Sequence, residues 1–118
     1  MTRAKSRKDR GRATERLLAE RWQGNGFAPN CYKVGAGESG NDILRVPGLA
    51  VEVKAKDTVS FPAALRQAVA GNRRTLGAVP IVVARHNGQG EASIGEWTVT
   101  MSLRDFEKLW RELRELAE

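Results

Sequence analysis

The stretch of chain over residues 41–54 combines a tight turn with charged side chains in apolar strands, and this combination limits the folds available. It reads NDILRVPGLAVEVK, two apolar runs separated by Pro47 and Gly48. Proline and glycine at successive corners favour a type II turn, so the stretch is predicted to form a β-hairpin. Asp42 is then expected to lie close to Glu52 across the hairpin. A small sheet built on this hairpin is the expected centre of the fold.

The charged residues of the hairpin predict a metal site. Side chains on a strand alternate between the two faces of a sheet, so Glu52 and Lys54 point the same way. With Asp42 added, two carboxylates and an ammonium group converge at one end of the sheet. Like charges at such a separation repel, and an apolar strand is unfavourable for them unless a cation lies between them. Oxygen ligands select a hard ion, so the expected cofactor is Mg²⁺, with Mn²⁺ as a substitute.

The rest of the composition excludes several kinds of site and protein. The single Cys31 and the single His86 exclude an intramolecular disulfide, a cysteine-rich zinc site and a two-histidine metal site. No apolar run approaches the length of a membrane span, and no signal peptide is recognisable. At 118 residues the chain is expected to form one domain in the cytoplasm, that of the host if a phage encodes it. Neither a membrane nor a small-molecule cofactor is an expected partner.

The first twelve residues carry most of the excess positive charge. The chain has a net charge of +6, and residues 1–12 hold six basic residues against one acidic residue, a net charge of +5. Residues 1–10 are predicted to be a flexible basic arm before a single domain over residues 11–118. The arm is expected to bind the phosphate backbone of DNA, with a solvated tail that aids solubility as the alternative. The predicted contacts are Arg7, Lys8, Arg10 and Arg12.

A helix is predicted over residues 12–23, where apolar side chains recur on one side and arginines on the other. On a helical wheel, Glu15 lies at the border of the apolar face, whereas Glu20 points away from it. Glu15 is therefore the carboxylate predicted to reach the charged end of the hairpin, and Glu20 is predicted to be a surface residue. The alternative for Glu15 is an ion pair with Arg12 or Arg16. The apolar face consists of Leu17, Leu18 and Trp22.

The remaining chain alternates strands, loops and helices. A glycine-rich loop over residues 35–40 leads into Asp42 and offers the Ser39 hydroxyl near the site, with a plain connecting loop as the alternative. It lacks the Gly-Lys-Ser/Thr ending of a phosphate-binding loop. The other predicted elements are a strand over 27–34, a helix over 58–74 starting near Pro62, a buried central strand over 78–84, a strand over 96–101 and a last helix capped by Ser102.

The two later helices carry apolar stripes of different width. Phe61, Leu65 and Val69 form the predicted core stripe of the helix over residues 58–74. Gln67 on the opposite side is a candidate for contact with DNA or a bound ligand, with simple exposure as the alternative. The stripe of the last helix is broader and is interpreted as core packing, part of which would form a homodimer contact. It consists of Leu103, Phe106, Leu109, Trp110, Leu113, Leu116 and Ala117.

Glu15 in the first helix, then Asp42, then the Glu52-Val53-Lys54 triplet resemble the signature of the PD-(D/E)XK nuclease superfamily. That signature is an aspartate followed about ten residues later by Glu-X-Lys. Within the superfamily, the chain looks most like the small archaeal-type and phage Holliday junction resolvases. The resemblance covers roughly residues 7–85, and Asn41 departs from it, since the signature usually has proline there.

The resemblance implies a restriction-endonuclease-like α/β fold, a central mixed β-sheet flanked by helices in the order α-β-β-β-α-β-β-α. It also implies Mg²⁺-dependent hydrolysis of DNA by a homodimer acting on branched DNA. Ser39 stands where these resolvases carry a functional serine, and Lys56 is implied to touch phosphate.

The roles of the central residues also follow from the resemblance. Asp42 and Glu52 would bind the metal, and Glu15 would complete the metal shell directly or through water. Lys54 would orient or activate water and offset developing charge. Independently of the resemblance, Lys54 shares a strand face with Glu52 and is placed to assist the leaving oxygen of a phosphodiester.

The sequence is compatible with three functions. The first is a Holliday junction resolvase, and the second is a repair or restriction-like nuclease acting on flaps, ends or mismatches. The third is a non-catalytic DNA-binding module of the same fold. The carboxylates Asp42 and Glu52 argue against the third, because a binding module has no reason to keep like charges in apolar strands.

Overall fold

The structure, a computed structural model, describes residues 3–35, 40–56, 58–72 and 77–118. The chain is an α/β protein with a five-stranded mixed sheet flanked by three helices, in the predicted order α-β-β-β-α-β-β-α. A 3-10 helix, Glu91–Glu96, precedes the last strand and is not predicted from the sequence. The helices are α1 (Arg3–Gly24), α2 (Phe61–Gly71) and α3 (Leu103–Ala117), and the strands are β1 (Tyr32–Lys33), β2 (Ile43–Leu44), β3 (Leu49–Lys54), β4 (Val79–Ala84) and β5 (Thr98–Thr100).

The sheet has the strand order β1-β2-β3-β4-β5, with β3 and β4 parallel and the other neighbouring pairs antiparallel. Strands β3 and β4 are the most deeply buried, which confirms the predicted central strand over residues 78–84. Parallel neighbours need a crossover connection, and the segment containing α2 supplies it. The carboxyl ends of β3 and β4 therefore lie side by side.

Helix α1 packs its apolar face onto the sheet. Leu17, Leu18 and Trp22 are buried, as predicted. They join one continuous core with buried residues of the two central strands, among them Val51 and Ile81. Because burying a large apolar side chain contributes roughly 1.5–3 kcal/mol, this face fixes the position of the helix on the sheet.

Helix α1 begins at Arg3, so the predicted start at Arg12 is wrong. Residues 3–10, which the sequence predicts as a flexible arm, form its first turns. The prediction followed apolar periodicity, which begins only at Leu17, whereas arginine, lysine and alanine favour a helix without any apolar pattern. Lys8 and Arg12 are consequently exposed on a helix whose later turns rest on the sheet.

The packed face of helix α2 is rotated from the predicted one towards two alanines. Ala64 and Ala68 are buried, whereas Val69, a predicted core residue, is 61% exposed. Phe61 and Leu65 are half-buried. Alanine side chains allow the helix backbone to approach the sheet closely, and periodicity of large apolar residues does not reveal such a contact. The described helix is also shorter than the predicted one over residues 58–74.

Both outer strands are shorter than predicted. Strand β1 occupies only two residues of the predicted strand over 27–34, because the backbone N–H of Ala28 donates to Trp22 at the end of α1 and that of Cys31 donates to Ala28. Strand β5 is short because the N–H of Trp97 closes the 3-10 helix by donating to Ile94.

Helix α3 begins as predicted, but its apolar stripe is exposed. The Ser102 side chain caps the helix by accepting a hydrogen bond of 3.2 Å from the backbone N–H of Asp105. None of its residues is buried, so the interpretation of the stripe as core packing is wrong. In the described part of the chain, no helix has the length and apolar character needed to cross a membrane.

Candidate metal centre

The hairpin contains a β-bulge that aligns its two carboxylates. The Leu49 N–H donates to the Val46 carbonyl across the Pro47–Gly48 turn, whereas Ile43 pairs with Val51 farther along. On the side of the hairpin that precedes the turn, two residues, Leu44 and Arg45, therefore face a single residue of β3. Such an inserted residue is a bulge, and Arg45 has the left-handed backbone conformation (φ 59°) typical of one.

The bulge determines which residues share a face of the sheet. A regular hairpin on the same turn would place Asp42 opposite Val53, whose side chain points away from that of Glu52. With the extra residue, Asp42 stands opposite Glu52, one position beyond the Ile43–Val51 pair. The predicted proximity of the two carboxylates is therefore confirmed, and a bulge that the sequence pattern does not indicate produces it.

Backbone and carboxylate contacts fix Asp42 and raise the pKa of Glu52. One Asp42 carboxylate oxygen, Oδ2, accepts a hydrogen bond of 2.7 Å from the Val53 N–H. Glu52 is only 8% exposed. Its burial, the negative charge of Asp42 and a hydrogen bond to that carboxylate raise the pKa of Glu52 to about 8. The pair is thus a site of concentrated negative charge that a proton or a metal cation would stabilise.

Lys54 and Glu15 flank this pair. The Lys54 ammonium lies 3.9 Å from a Glu52 carboxylate oxygen, and both side chains are largely buried. Glu15 lines the same groove as Asp42, and partial burial and the charge of Asp42 raise the pKa of Glu15. Glu20, by contrast, is exposed and pairs with Arg16 at 3.4 Å, as its predicted surface position requires.

A groove of about 350 Å³ leads to the site between α1 and the chain around β1. Glu15 and Asp42 form its acidic side. Lys8 and Arg12, both predicted DNA contacts, line it together with Lys33, which the sequence does not single out. The sequence feature that could have indicated a role for Lys33 is its position in a short strand next to a glycine-rich loop. The groove therefore places three cations close to the carboxylates.

Arg10, also predicted to bind DNA, is a structural link between α1 and the sheet. Its guanidinium donates to the carbonyl oxygens of Ala55 (3.2 Å) and His86 (3.1 Å), shortly after the ends of β3 and β4. Arg85 makes a second link by donating to the buried Thr14 hydroxyl at 3.2 Å. These bonds hold α1 beside the carboxyl ends of the central strands and give Arg10 a structural role, whereas its contact with DNA stays a prediction.

Of the remaining predicted site residues, the structure describes Lys56 and Gln67 but not Ser39 or the side chain of Arg7. Lys56 and Gln67 are exposed, and no described hydrogen bond or ion pair joins either side chain to the carboxylates. Ser39 lies outside the described residues, as does the side chain of Arg7.

Asn41, directly before Asp42, is a site residue with a positioning role that its sequence position alone does not reveal. It is buried, and its amide nitrogen donates to the Ala68 carbonyl of α2 at 2.9 Å. A side chain at Gly71 would come within 2.9 Å of this amide nitrogen and of the Gly40 backbone. The end of α2 and the chain entering Asp42 are therefore closely fitted.

The donor set suits a hard cation such as Mg²⁺. Among the described residues, no three His, Cys, Asp or Glu side chains stand close enough to hold a metal together. The Asp42–Glu52 pair is therefore the candidate direct ligand set, and a cation between these carboxylates would relieve their mutual repulsion. Glu15 lines the same groove as Asp42 and is not part of this direct ligand set.

Comparison of the chain with models of known protein families, with curated proteins and with solved structures gave no match.

Proposed function

We propose that this protein is a Mg²⁺-dependent endonuclease that hydrolyses phosphodiester bonds in DNA. The observation that carries the proposal is the grouping of Asp42, Glu52 and Lys54 on one sheet face beside a cation-lined groove. Negative charge is concentrated where a metal would bind, and positive charge lies where a polyanion would run. The same order of residues underlies the resemblance to the PD-(D/E)XK nucleases.

Asp42 and Glu52 would hold the metal, with Glu15 acting through a water. The chemistry that Mg²⁺ supplies when bound is neutralisation of charge on the phosphoryl oxygens and activation of water. The Val53 N–H keeps one Asp42 oxygen oriented, so the carboxylate is fixed before any cation binds.

The other charged side chains position the DNA and support the reaction. Lys54, on the same strand face as Glu52, would orient the attacking water and stabilise charge that develops on the phosphate. Lys8, Arg12 and Lys33 would bind phosphates of the strand lying in the groove. Lys56, which is exposed two residues after the end of β3, would contact a phosphate farther along the DNA.

Branched DNA is the proposed substrate, with the four-way junction as its specific form. This choice rests on the resemblance to junction resolvases. Resolution of a junction requires two symmetric cuts and therefore two copies of the site. We also propose the cytoplasm as the compartment, in keeping with a single free cysteine, Cys31.

Cleavage of three labelled DNAs tests the proposal. Purified protein is incubated with a synthetic four-way junction, a flap and a linear duplex, each with Mg²⁺, with Mn²⁺ or with EDTA. We expect metal-dependent cuts, with the junction cut fastest. Glu52→Ala, purified in parallel, should bind the junction but leave it intact, and Glu20→Ala serves as the matched exposed carboxylate that should change nothing.

The outcomes test separately which DNA structure is cut, whether the protein cuts DNA at all, and whether the activity belongs to this protein. Preferential cutting of flaps or ends would replace the junction resolvase with a repair-type nuclease. Absence of metal-dependent cleavage on every DNA, with binding retained, would identify a non-catalytic binding module. Equal cleavage by wild-type and Glu52→Ala protein would show that the activity comes from a contaminant.

A separate measurement tests whether the groove binds DNA phosphates. In the Glu52→Ala background, the affinity for the junction is measured over a range of salt concentrations. Lys33→Ala should lower the slope of log K against log salt by about 1, because one phosphate contact is lost. Lys108→Ala, an equal change of charge on the remote helix α3, should leave the slope unchanged.

A further inference from the structure

The apolar stripe of α3 has no partner within the described chain. Six of its large side chains are between 45% (Leu109) and 84% (Leu116) exposed. If a whole residue of this size offers roughly 200 Å², the exposed apolar area is on the order of 700 Å² per helix, above the largest patch of a typical monomer. The six residues are Leu103, Phe106, Leu109, Trp110, Leu113 and Leu116.

We propose that α3 pairs with the α3 helix of a second copy of this chain, side by side and antiparallel. Two such stripes would bury at most roughly 1,400 Å², and complete burial falls within the range of about 1,200–2,000 Å² found in stable specific interfaces. Trp110, 54% exposed, lies in the middle of the stripe, where large aromatic side chains contribute most to association. The area thus suits a second copy of the same helix.

The charges beside the stripe determine the direction of pairing. Leu103, Phe106, Trp110 and Leu113 recur at the spacing of a heptad seam, and Glu107 and Arg114 occupy equivalent positions along one edge of it. In an antiparallel pair with Trp110 facing the partner's Leu113, Glu107 lies beside the partner's Arg114.

The two-fold symmetry creates this ion pair twice. A parallel pair would instead place Glu107 beside the partner's Ser102 and Arg114 beside the partner's Leu109, without any ion pair. Charge complementarity therefore favours the antiparallel arrangement. The other edge carries Leu109 and Leu116, which would pack against each other across the same axis and extend the apolar contact.

Measurement of the molar mass tests the inference without DNA or metal, so its outcome is independent of the proposed nuclease activity. Wild-type protein is examined by analytical ultracentrifugation from roughly 1 to 100 µM. We expect a mass about twice 13.0 kDa at the upper concentrations. Leu113→Glu should weaken the dimer at least about 100-fold, because it puts a charge in the seam.

Reversal of the edge charges tests the direction of pairing. Glu107→Arg alone and Arg114→Glu alone should each weaken the dimer about tenfold, and the double variant Glu107→Arg/Arg114→Glu should restore it to within about threefold. Circular dichroism verifies that the variants keep their helix content. Both substitutions lie on an exposed helix surface and introduce good helix formers.

Each remaining outcome overturns the inference. A wild-type monomer at all concentrations would mean that another partner or the chain itself covers α3. A dimer that survives Leu113→Glu would lie elsewhere on the molecule. Failure of the double variant to recover would exclude the antiparallel arrangement.

Discussion

The carboxylate site and helix α3 depart from the usual distribution of polar and apolar groups in opposite directions. The site buries two carboxylates beside each other, with Glu52 only 8% exposed. Helix α3 exposes large apolar side chains such as Trp110 and buries none of its residues. Neither arrangement favours the stability of an isolated chain: buried like charges repel, and exposed apolar surface orders water.

The difference indicates two kinds of missing partner. Concentrated negative charge is stabilised by a cation, and a broad apolar stripe is stabilised by another apolar surface. The carboxylates are on and beside β2 and β3, whereas α3 follows the edge strand β5, and β4 stands between β3 and β5 in the sheet. A substitution in one region should therefore leave the other intact.

The largest expected effect separates the two regions. Lys54→Ala and Asp42→Asn should each lower the rate of cleavage by about 10³-fold, because each removes a charged group from the reacting centre. Neither should change the molar mass.

Leu113→Glu should do the reverse: it should abolish the dimer and cut a flap at a rate per chain within about threefold of wild type. Rates from single-turnover assays and masses from ultracentrifugation test both. Loss of flap cleavage in Leu113→Glu would show that the regions depend on each other.

Gly71→Ala should have the next largest effect, through the backbone before Asp42. Its new methyl group would come within 2.9 Å of the Asn41 side chain and the Gly40 backbone, and it should displace the carboxylate. We expect cleavage to fall about 10- to 100-fold, as for other residues that orient metal ligands. Gly24→Ala at the end of α1 is the matched control, since its new methyl group would have no atom within 4 Å other than those of its chain neighbours and the nearby helix backbone. Equal activity of the two variants would refute this positioning role.

Glu15→Gln should have a smaller effect. If Glu15 acts through a water, its loss should reduce cleavage about tenfold and raise the Mg²⁺ concentration needed for half-maximal rate. Glu20→Gln on the same helix removes an equal charge that only pairs with Arg16, and its Mg²⁺ titration should match that of wild type. An unchanged Mg²⁺ requirement in Glu15→Gln would remove this residue from the site.

The smallest expected effect concerns stability and follows from the repulsion within the site. Between pH 4.5 and about 8, an unfolded chain releases the Glu52 proton while the folded chain keeps it, so the stability of the metal-free protein falls as pH rises. Glu52→Gln removes this pH dependence of stability, and the N–H group of the glutamine amide can still donate a hydrogen bond to Asp42. In EDTA it should be more stable than wild type by about 1 kcal/mol at pH 8, after allowance for solvent screening.

Thermal unfolding in EDTA measures this difference across the same pH window. The advantage of Glu52→Gln should vanish near pH 4.5, where the carboxyl group is protonated in both states. A constant difference at every pH would mean that packing, and not charge, distinguishes the two side chains.

Local patterns predicted the element order, the hairpin, the buried central strand and the Ser102 cap. These features depend on residues near one another in the chain, such as the Pro47–Gly48 turn and the unbroken apolar run of β4. The patterns failed where packing partners are distant in sequence. The alanine face of α2 and the role of Arg10 each depend on a surface contributed by another part of the chain. The early start of α1 depends instead on helix propensity, which leaves no apolar period in the sequence.

The sequence by itself determined which chemical groups the site could contain: carboxylates, a lysine and basic residues, with no cysteine or histidine cluster. Only the tertiary structure decided that Asp42 and Glu52 share a face, because a single inserted residue at Arg45 reverses the alternation on which any strand-based prediction depends. It also left the stripe of α3 uncovered. An apolar period of a helix is the same whether its own chain or a second chain buries it, so periodicity cannot distinguish a core helix from an interface helix.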